Sequence, residues 1–363
     1  PCIESLRELA RSYGTSIVLC TATQPALKQN DEFPEGLENV REIIPCPDEY
    51  FSRLERVKID VRPATLSDEM LCEELSEHRQ ALVVVNTRDH ARKLFEILHE
   101  GIEEDNDHGI FHLSAAMCPA HRTEVLGRIR RLLKEEQPCL VISTQLIEAG
   151  VDIDFPVVYR SESGIDSIAQ SAGRCNRNGK LGVRGGRVIV FKSEHPLPKR
   201  GPFRKSAEAA RETIDRFAAN LLGTDSVTDY FERYYWRQDN KDKCGIMARC
   251  REGQGNPFGF PFEDMAAFSL IDDAGTGIIS RYSNAAEELI EKLRHTGPTR
   301  KLMQKLQKFS VSVYDHQLRA LEKSGGVEVL HGVQILARSD IYRDNIGFDI
   351  SRLQSCNPED YFV

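Results

Sequence analysis

Apolar residues recur along this chain in two rhythms, and most of the fold follows from where each rhythm holds. Between residues 57 and 192, short apolar runs appear at VKIDV (57–61), ALVVVN (81–86), GIFHL (109–113), CLVIS (139–143), PVVYR (156–160) and GRVIVFK (186–192). A run apolar at successive positions, such as ALVVVN, fits a strand covered on both faces. The intervening segments carry helical spacing. TRDHARKLFEILHE repeats through Ala91, Leu94, Phe95 and Leu98, HRTEVLGRIRRLLKEE follows GIFHL, and a further helix is expected around DSIAQSAGR. Strands alternating with helices predict an α/β fold with a doubly wound, mostly parallel sheet. Ligands bind such sheets at the carboxyl ends of the strands, where the polar clusters of this sequence also fall.

The ends of the chain read differently. Residues 1–14 suit an amphipathic helix, and SIVLC (16–20) reads as a strand leaving its sheet through the loop TATQPAL. With only one strand before that loop, the chain reads as beginning inside a folded unit. After residue 195, Pro196, Pro198 and Pro202 mark a linker, 205–222 reads as a helix, and the aromatic, Gly-rich region 224–285 shows no clear period. The tail predicts a helix at 285–307, a strand at 309–314 and a Gly-Gly-broken pair of short strands near 326–336, together a small α+β terminal domain. The expected division is therefore 1–50, 51–195, 196–300 and 301–363.

Composition narrows the class. With 363 residues, 40% of them apolar, the chain can bury two or three cores. It holds no apolar run long enough to span a bilayer and no signal-peptide pattern at its start, so a soluble, cytoplasmic protein without a membrane partner is expected. Ten cysteines include no C-x-x-C pair and read as reduced core residues. The net charge of −8 argues against a surface coated by nucleic acid, yet Arg174 to Lys205 carries ten basic residues against one acid, Glu194. A second basic stretch, RKLMQKLQK, runs from Arg300 to Lys308. Either could be a solvated surface; together they suit a groove that follows a phosphate backbone.

The most informative cluster is QSAGRCNRNG (170–179). Gln170, Arg174 and Arg177 stand at i, i+4 and i+7, so one helix face could present all three to a ligand. Guanidinium groups suit charge on a transferring phosphoryl group, although the same spacing could be a salt-bridged helix. Next is STQLIEAGVDIDF (143–155), where Ser143, Thr144 and Gln145 follow a strand at the expected start of a helix, offering hydroxyls and backbone N–H groups to a phosphate. Asp152 and Asp154 lie two apart without a third ligand nearby, so no metal site is expected there. For Glu148 and Asp154 a structural role, as a helix cap or an internal ion pair, is expected as much as a functional one.

These segments resemble superfamily 2 helicase motifs. Q-x-x-G-R-x-x-R at 170–177 is similar to motif VI, and the resemblance implies that Arg174 and Arg177, with Gln170 and Gly173, face the γ-phosphate of an ATP held mainly by another RecA-like domain. STQLIEAGVDIDF resembles motif V. That likeness implies that Thr144 and Gln145 contact DNA phosphate, and that Asp152, with Gly150, orients the nucleotide ribose or a motif VI arginine. Asn86, Thr87 and Arg88 in VVVNTR resemble motif IV, and Arg122 in LSAAMCPAHR would reach the nucleic-acid backbone. Thr21 and Thr23 match motif III, which couples nucleotide state to closure of the lobes. The wording and order of TATQPAL, LSAAMCPAHR, STQLIEAGVDIDFPVVYR and AGRCNRNG resemble the type I CRISPR-associated helicase-nuclease family over about residues 15–195, and loosely over 300–363. That implies a RecA-like second helicase lobe plus a small α+β accessory domain capping a DNA channel.

Two parts of such a motor are missing from the sequence: there is no G-x-x-x-x-G-K-[ST] loop and no Asp-Glu box for magnesium. Gly275-Thr276-Gly277 lacks the lysine. None of the ten histidines offers a His-Asp metal cluster by spacing. His108 and His112, four apart, enter a strand, so neither metal nor nuclease activity is expected. Two readings stay open. The chain is the carboxyl-terminal half of a single-stranded DNA translocase, sharing ATP and Mg with a partner that carries the phosphate-binding loop, the Asp-Glu box and a His-Asp nuclease, and working with an RNA-guided surveillance complex. Otherwise it is a non-catalytic module that binds DNA or docks on that complex. A superfamily 2 helicase acting on RNA is the runner-up.

Overall fold

The structure, a computed structural model, describes residues 1–31, 33–100, 109–197, 202–236, 242, 244–252, 262–266, 268 and 275–354. Helix α1 (Cys2–Ser12) and the short α2 (Pro47–Arg53) precede the alternating series. That series runs β1 (Val57–Leu66), α3 (Asp68–Ser76), β2 (Gln80–Val84), α4 (Arg88–His99), β3 (Ile110–Leu113), α5 (Pro119–Lys134), β4 (Cys139–Ser143), β5 (Val157–Ser161), α6 (Ile165–Ala172) and β6 (Gly186–Ser193). Then come α7 (Pro202–Phe217), α8 (Thr224–Trp236), α9 (Ile246–Glu252), α10 (Phe262–Ala266), β7 (Gly275–Ile279), α11 (Asn284–Thr296), α12 (Arg300–Leu306), β8 (Ser310–Tyr314) and α13 (Asp315–Lys323). The series closes with β9 (Val327–Leu330), β10 (Val333–Leu336), β11 (Tyr342–Arg343), β12 (Gly347–Phe348) and α14 (Ser351–Gln354).

The chain divides into two compact units. One comprises Arg56–Glu162, Gln170–Pro196 and Ala274–Val363. Its six-stranded sheet has the order β1-β6-β5-β2-β4-β3, and every neighbouring pair is parallel. The central strands are apolar at successive positions because the sheet is covered on both sides: Ala81, Leu82, Val83 and Val84 on β2 are all buried. One face packs Val83, Ile142, Tyr159 and Ile189 against Leu71 and Leu75 of α3 and Ala91, Leu94 and Phe95 of α4. Helices α3 and α4 start cleanly because Ser67 Oγ and Thr87 Oγ1 accept from the N–H groups of Met70 and His90, at 3.2 and 3.1 Å.

A four-stranded sheet, β8-β7-β10-β9, builds the second core of this unit, with Ile290 and Leu293 of α11, Leu302 and Leu306 of α12 and Leu321 of α13. Tyr342 ties that core to α5, since its hydroxyl accepts from Cys118 N at 3.0 Å and lies 3.0 Å from His121 Nδ1. The other unit comprises Pro1–Glu55, Ser163–Ala169 and Leu197–Asp273. In it α7 and α8 are joined through Asp229, which accepts from Thr213 Oγ1 at 2.8 Å and Arg233 Nε at 2.7 Å. Tyr230 of α8 donates to Asp166 Oδ1 at 2.7 Å.

The structure corrects several expectations. SIVLC (16–20) pairs with no strand among the described residues, and Val18 is 69% exposed. A single apolar run needs a neighbouring strand to satisfy its backbone. The helix expected at 285–307 is two, because Gly297 takes φ 69° and Thr299 caps α12 by accepting from Leu302 N at 3.3 Å. β9 and β10 turn at His331-Gly332, both with positive φ, and not at the Gly325-Gly326 pair. The unassigned region 224–285 holds α8, α9, α10 and β7, and the Gly-Thr-Gly at 275–277 is part of β7. Cys72, Cys118, Cys139 and Cys175 are buried, whereas Cys2, Cys20, Cys46 and Cys244 are exposed, so the cysteines are not uniformly core residues.

Candidate nucleotide and nucleic-acid site

The two segments that carry the strongest sequence signals, one running from β4 to β5 and one following α6, meet just before the first residue of β5. They are stitched by an isolated parallel bridge: Phe155 N donates to Arg174 O and Asn176 N to Phe155 O, both at 2.9 Å. This bridge overturns the expected shared helix face. α6 ends at Ala172, so Gln170 lies in its last turn while Arg174 and Arg177 lie beyond it. The turns Arg174 N to Ser171 O and Cys175 N to Ala172 O, each 2.9 Å, close the helix and release the chain to pair with Phe155.

The two arginines therefore differ in kind. Arg174 is buried, with Nε donating to Ile147 O at 2.9 Å and Nη2 to Glu148 O. Burial, and after it the nearby Arg177 charge, lowers its pKa from the ordinary arginine value. Arg177 keeps 42% of its side chain exposed, and its Nε lies 3.1 Å from Asp152 Oδ1. Asp154 fixes the turn that presents it, accepting from Arg177 N at 2.7 Å and Asn178 N at 3.0 Å. Asp152 and Asp154 thus hold the arginine loop.

Beneath this loop lies a network that the sequence did not reveal. Arg160 of β5, wholly buried, places Nε 3.0 Å from Glu148 Oε1, and its Nη1 donates to Asn86 Oδ1 at 2.7 Å and Ser161 O at 2.8 Å. Ser171 Oγ donates to the same Glu148 oxygen at 3.1 Å, and Asn86 Nδ2 donates to Glu162 O at 2.8 Å. Segments around 86, 148 and 171–174 are thereby joined through one buried ion pair, and Glu148 makes the internal ion pair that its structural reading in the sequence included. The signal in the sequence was a lone charge within the apolar run PVVYR, which needs a partner if the strand is buried.

The remaining residues are distributed as follows. Thr144 is buried and Gln145 half-buried; they begin a three-residue 3₁₀ turn, Gln145–Ile147, in place of the expected helix. Gly150 takes φ 72° in the exposed turn that follows, and Gly173 is exposed beside Arg174. Thr87 caps α4 by accepting from His90 N, and Arg88 donates to Ser312 O at 3.1 Å with its guanidinium 5.3 Å from the Tyr314 ring centroid. Arg122 is half-buried, and burial lowers its pKa. Thr21 Oγ1 accepts from Thr23 N at 3.4 Å in the other unit. His112 is buried on β3, and its pKa is pushed down to about 3 by burial; His108 lies outside the described residues. Of the basic stretches, Lys180, Arg184, Arg187 and Lys192 are exposed, as are Arg300, Lys301, Lys305 and Lys308. Lys199 and Arg200 lie outside the described residues.

An all-parallel six-stranded sheet flanked by helices defines a RecA-like α/β lobe, here accompanied by a smaller α+β body. Residues 77–180 match the family model of the CRISPR-associated nuclease/helicase Cas3, C-terminal. The chain is 47% identical over 84 residues, 23% of this chain, to the CRISPR-associated nuclease/helicase Cas3 of Haloferax volcanii, and 29% identical over 149 residues, 40% of this chain, to that of Methanothermobacter thermautotrophicus. Those matches span only 9% and 17% of the two relatives. Among solved structures, Cas3 from T. fusca with ADP aligns with TM-score 0.53 at 14% identity, covering 81% of this chain and 41% of that one. A chain of a CRISPR RNA-guided surveillance complex, pre-nicking, aligns with TM-score 0.50 at 16% identity, covering 78% of this chain and 41% of that one. No described helix is long and apolar enough to cross a membrane.

Proposed function

We propose that this chain is the carboxyl-terminal half of an ATP-dependent single-stranded DNA translocase of type I CRISPR interference, hydrolysing ATP only with a partner half. The observation that carries the reading is the pairing of an exposed Arg177 with Asp152 on a loop locked by Arg174, Asp154 and the Phe155 bridge. A half-exposed guanidinium held by one exposed carboxylate suits the triphosphate of a nucleotide, because it is pre-aimed and still hydrated enough to exchange partners. When bound, ATP with Mg²⁺ supplies the phosphoryl transfer that drives the lobes together and apart. Arg177 would neutralise charge on the terminal phosphate, with Asp152 and Gln170 aligning it. Arg174, already committed to the carbonyls of Ile147 and Glu148, would transmit the position of that loop to the 144–148 turn.

On the nucleic-acid side, Thr144 and Gln145 would meet a DNA phosphate, assisted by Thr87, Arg88 and Arg122 and by the exposed lysines of α12. Thr21 and Thr23 would couple the two lobes. The phosphate-binding loop, the Asp-Glu box and the His-Asp nuclease would come from a partner chain or domain, and an RNA-guided surveillance complex would deliver the DNA strand in the cytoplasm. The Cas3 likeness of residues 77–180, and the likeness of the fold to a chain of such a complex, support this.

The test is ATP hydrolysis stimulated by single-stranded DNA, measured for the purified chain alone and mixed with a chain carrying the phosphate-binding loop and Asp-Glu box. Activity only in the mixture is expected. No activity in either would leave a binding module, activity of the chain alone would contradict the half-motor reading, and preferential stimulation by RNA would favour the RNA-directed alternative.

A further inference from the structure

Away from the arginine loop, three residues far apart in sequence converge on one point. Asp68 is the first residue of α3, directly after β1; His90 is the third residue of α4; His195 lies two residues past the end of β6. The pairing of β1 with β6 places Leu66 opposite Ser193, which brings the chains to the same level just before Asp68 and His195. His90 Nε2 lies 2.9 Å from Asp68 Oδ1 and His195 Nε2 lies 2.7 Å from Asp68 Oδ2. The two imidazole rings approach to 4.0 Å between centroids, and the three donor atoms fall within 4.8 Å of one another. Glu194 brings a second carboxylate, with Oε1 4.0 Å from His195 Nε2 and 3.4 Å from Asp68 N.

We propose that Asp68, His90 and His195 form a divalent transition-metal site, with Glu194 or water completing the coordination. Imidazole nitrogens with carboxylate oxygens suit Zn²⁺ and its neighbours, and three protein ligands with one open position form a recurrent zinc arrangement. Bond lengths of about 2.0–2.1 Å in tetrahedral geometry separate donor atoms by roughly 3.3 Å. Both distances would open by about half an ångström on binding: rotation of His195, 27% exposed on its side chain, would supply this for the 2.7 Å pair, and a small turn of the Asp68 carboxylate for the 2.9 Å pair with His90. Charge also favours a cation: with neutral imidazoles, the two carboxylates leave this point at −2. Each Nε2 would give its lone pair to the metal with the ring proton on Nδ1. Asp68 and His90 are both buried, so the site is built into the lobe and its outer wall is His195. The inference does not depend on the motor reading.

The experiment is titration of the purified whole chain with Co²⁺, followed by visible absorption, after alkylation of its accessible thiols. One equivalent is expected to bind with the strong visible bands of four-coordinate Co²⁺ and no thiolate charge-transfer band, and Zn²⁺ should displace it. His195→Gln, at the half-exposed wall, should fold normally and lose more than the roughly tenfold to hundredfold affinity that a merely supporting residue contributes. Asp68→Asn should abolish the bands. On the unaltered chain, Zn²⁺ should shift the Nε2 resonances of two histidines in ¹⁵N spectra, a readout independent of any variant. Absence of stoichiometric binding, or binding unchanged in His195→Gln, would overturn the proposal and leave a hydrogen-bonded His-Asp-His clamp.

Discussion

Arg160, wholly buried on β5, holds its Nε 3.0 Å from a carboxylate oxygen of Glu148. That pair sits between Asn86 on one side and Ser171 on the other. Removing one partner strands a charge inside the lobe, so Glu148→Ala should cost about 3–5 kcal/mol in urea unfolding. The double change Glu148→Leu, Arg160→Met should cost less than that, because no charge is then left alone. A loss below about 1 kcal/mol for Glu148→Ala would show that the pair is not the link described.

Arg177→Ala removes the exposed guanidinium beside Asp152 and leaves the buried Arg174 contacts in place. In the reconstituted mixture it should lower ATP turnover by about a thousandfold, the scale of an arginine finger. Single-stranded DNA affinity should stay within a few-fold. Unchanged hydrolysis would remove Arg177 from the mechanism.

Asn86 and Thr144 should separate structure from binding. Both amide atoms of Asn86 are engaged, by Arg160 and by Glu162 O. Asn86→Ala should therefore cost about 1–3 kcal/mol of stability through unsatisfied partners. Thr144→Ala should lower DNA affinity with little change in unfolding. The reverse pattern in fluorescence-anisotropy and urea measurements would exchange the two assignments.

Two buried histidines predict the response to acid. His112 and His121 are pushed down by burial to about 3 and about 4. Their unfolded pKa is about 6.5, so between that value and the folded pKa values the unfolded chain binds more protons than the folded one. Their contribution is complete above about pH 6.5 and is lost as pH falls below it, by roughly 1.4 kcal/mol per pH unit for each histidine. His112→Phe, beside Phe95, should flatten the fall in urea stability between pH 7 and 5. An equally steep profile in that variant would rule His112 out as a cause.

The sheet was legible because each strand wears its burial in its own residues. ALVVVN and CLVIS cannot sit on a half-exposed surface, and the helical runs between them leave parallel pairing as the consistent arrangement. The arginine loop was legible in its residue types but not in its shape. Its residues read as one helix face until the Phe155 bridge is seen to end the helix at Ala172. SIVLC misled for the opposite reason: a strand-like run has no structure of its own without a partner to receive its N–H and C=O groups.

What the sequence determined by itself is local: element type wherever periodicity is strong, and the residue types suited to phosphate. The strand order, the Arg160–Glu148 pair and the meeting of Asp68, His90 and His195 were decided by tertiary structure. Asp68 is 22 residues from His90 and 127 from His195, distances across which no spacing rule acts. They meet because β1 and β6, one near each end of the alternating series, lie side by side in register, a choice made by packing of the whole sheet.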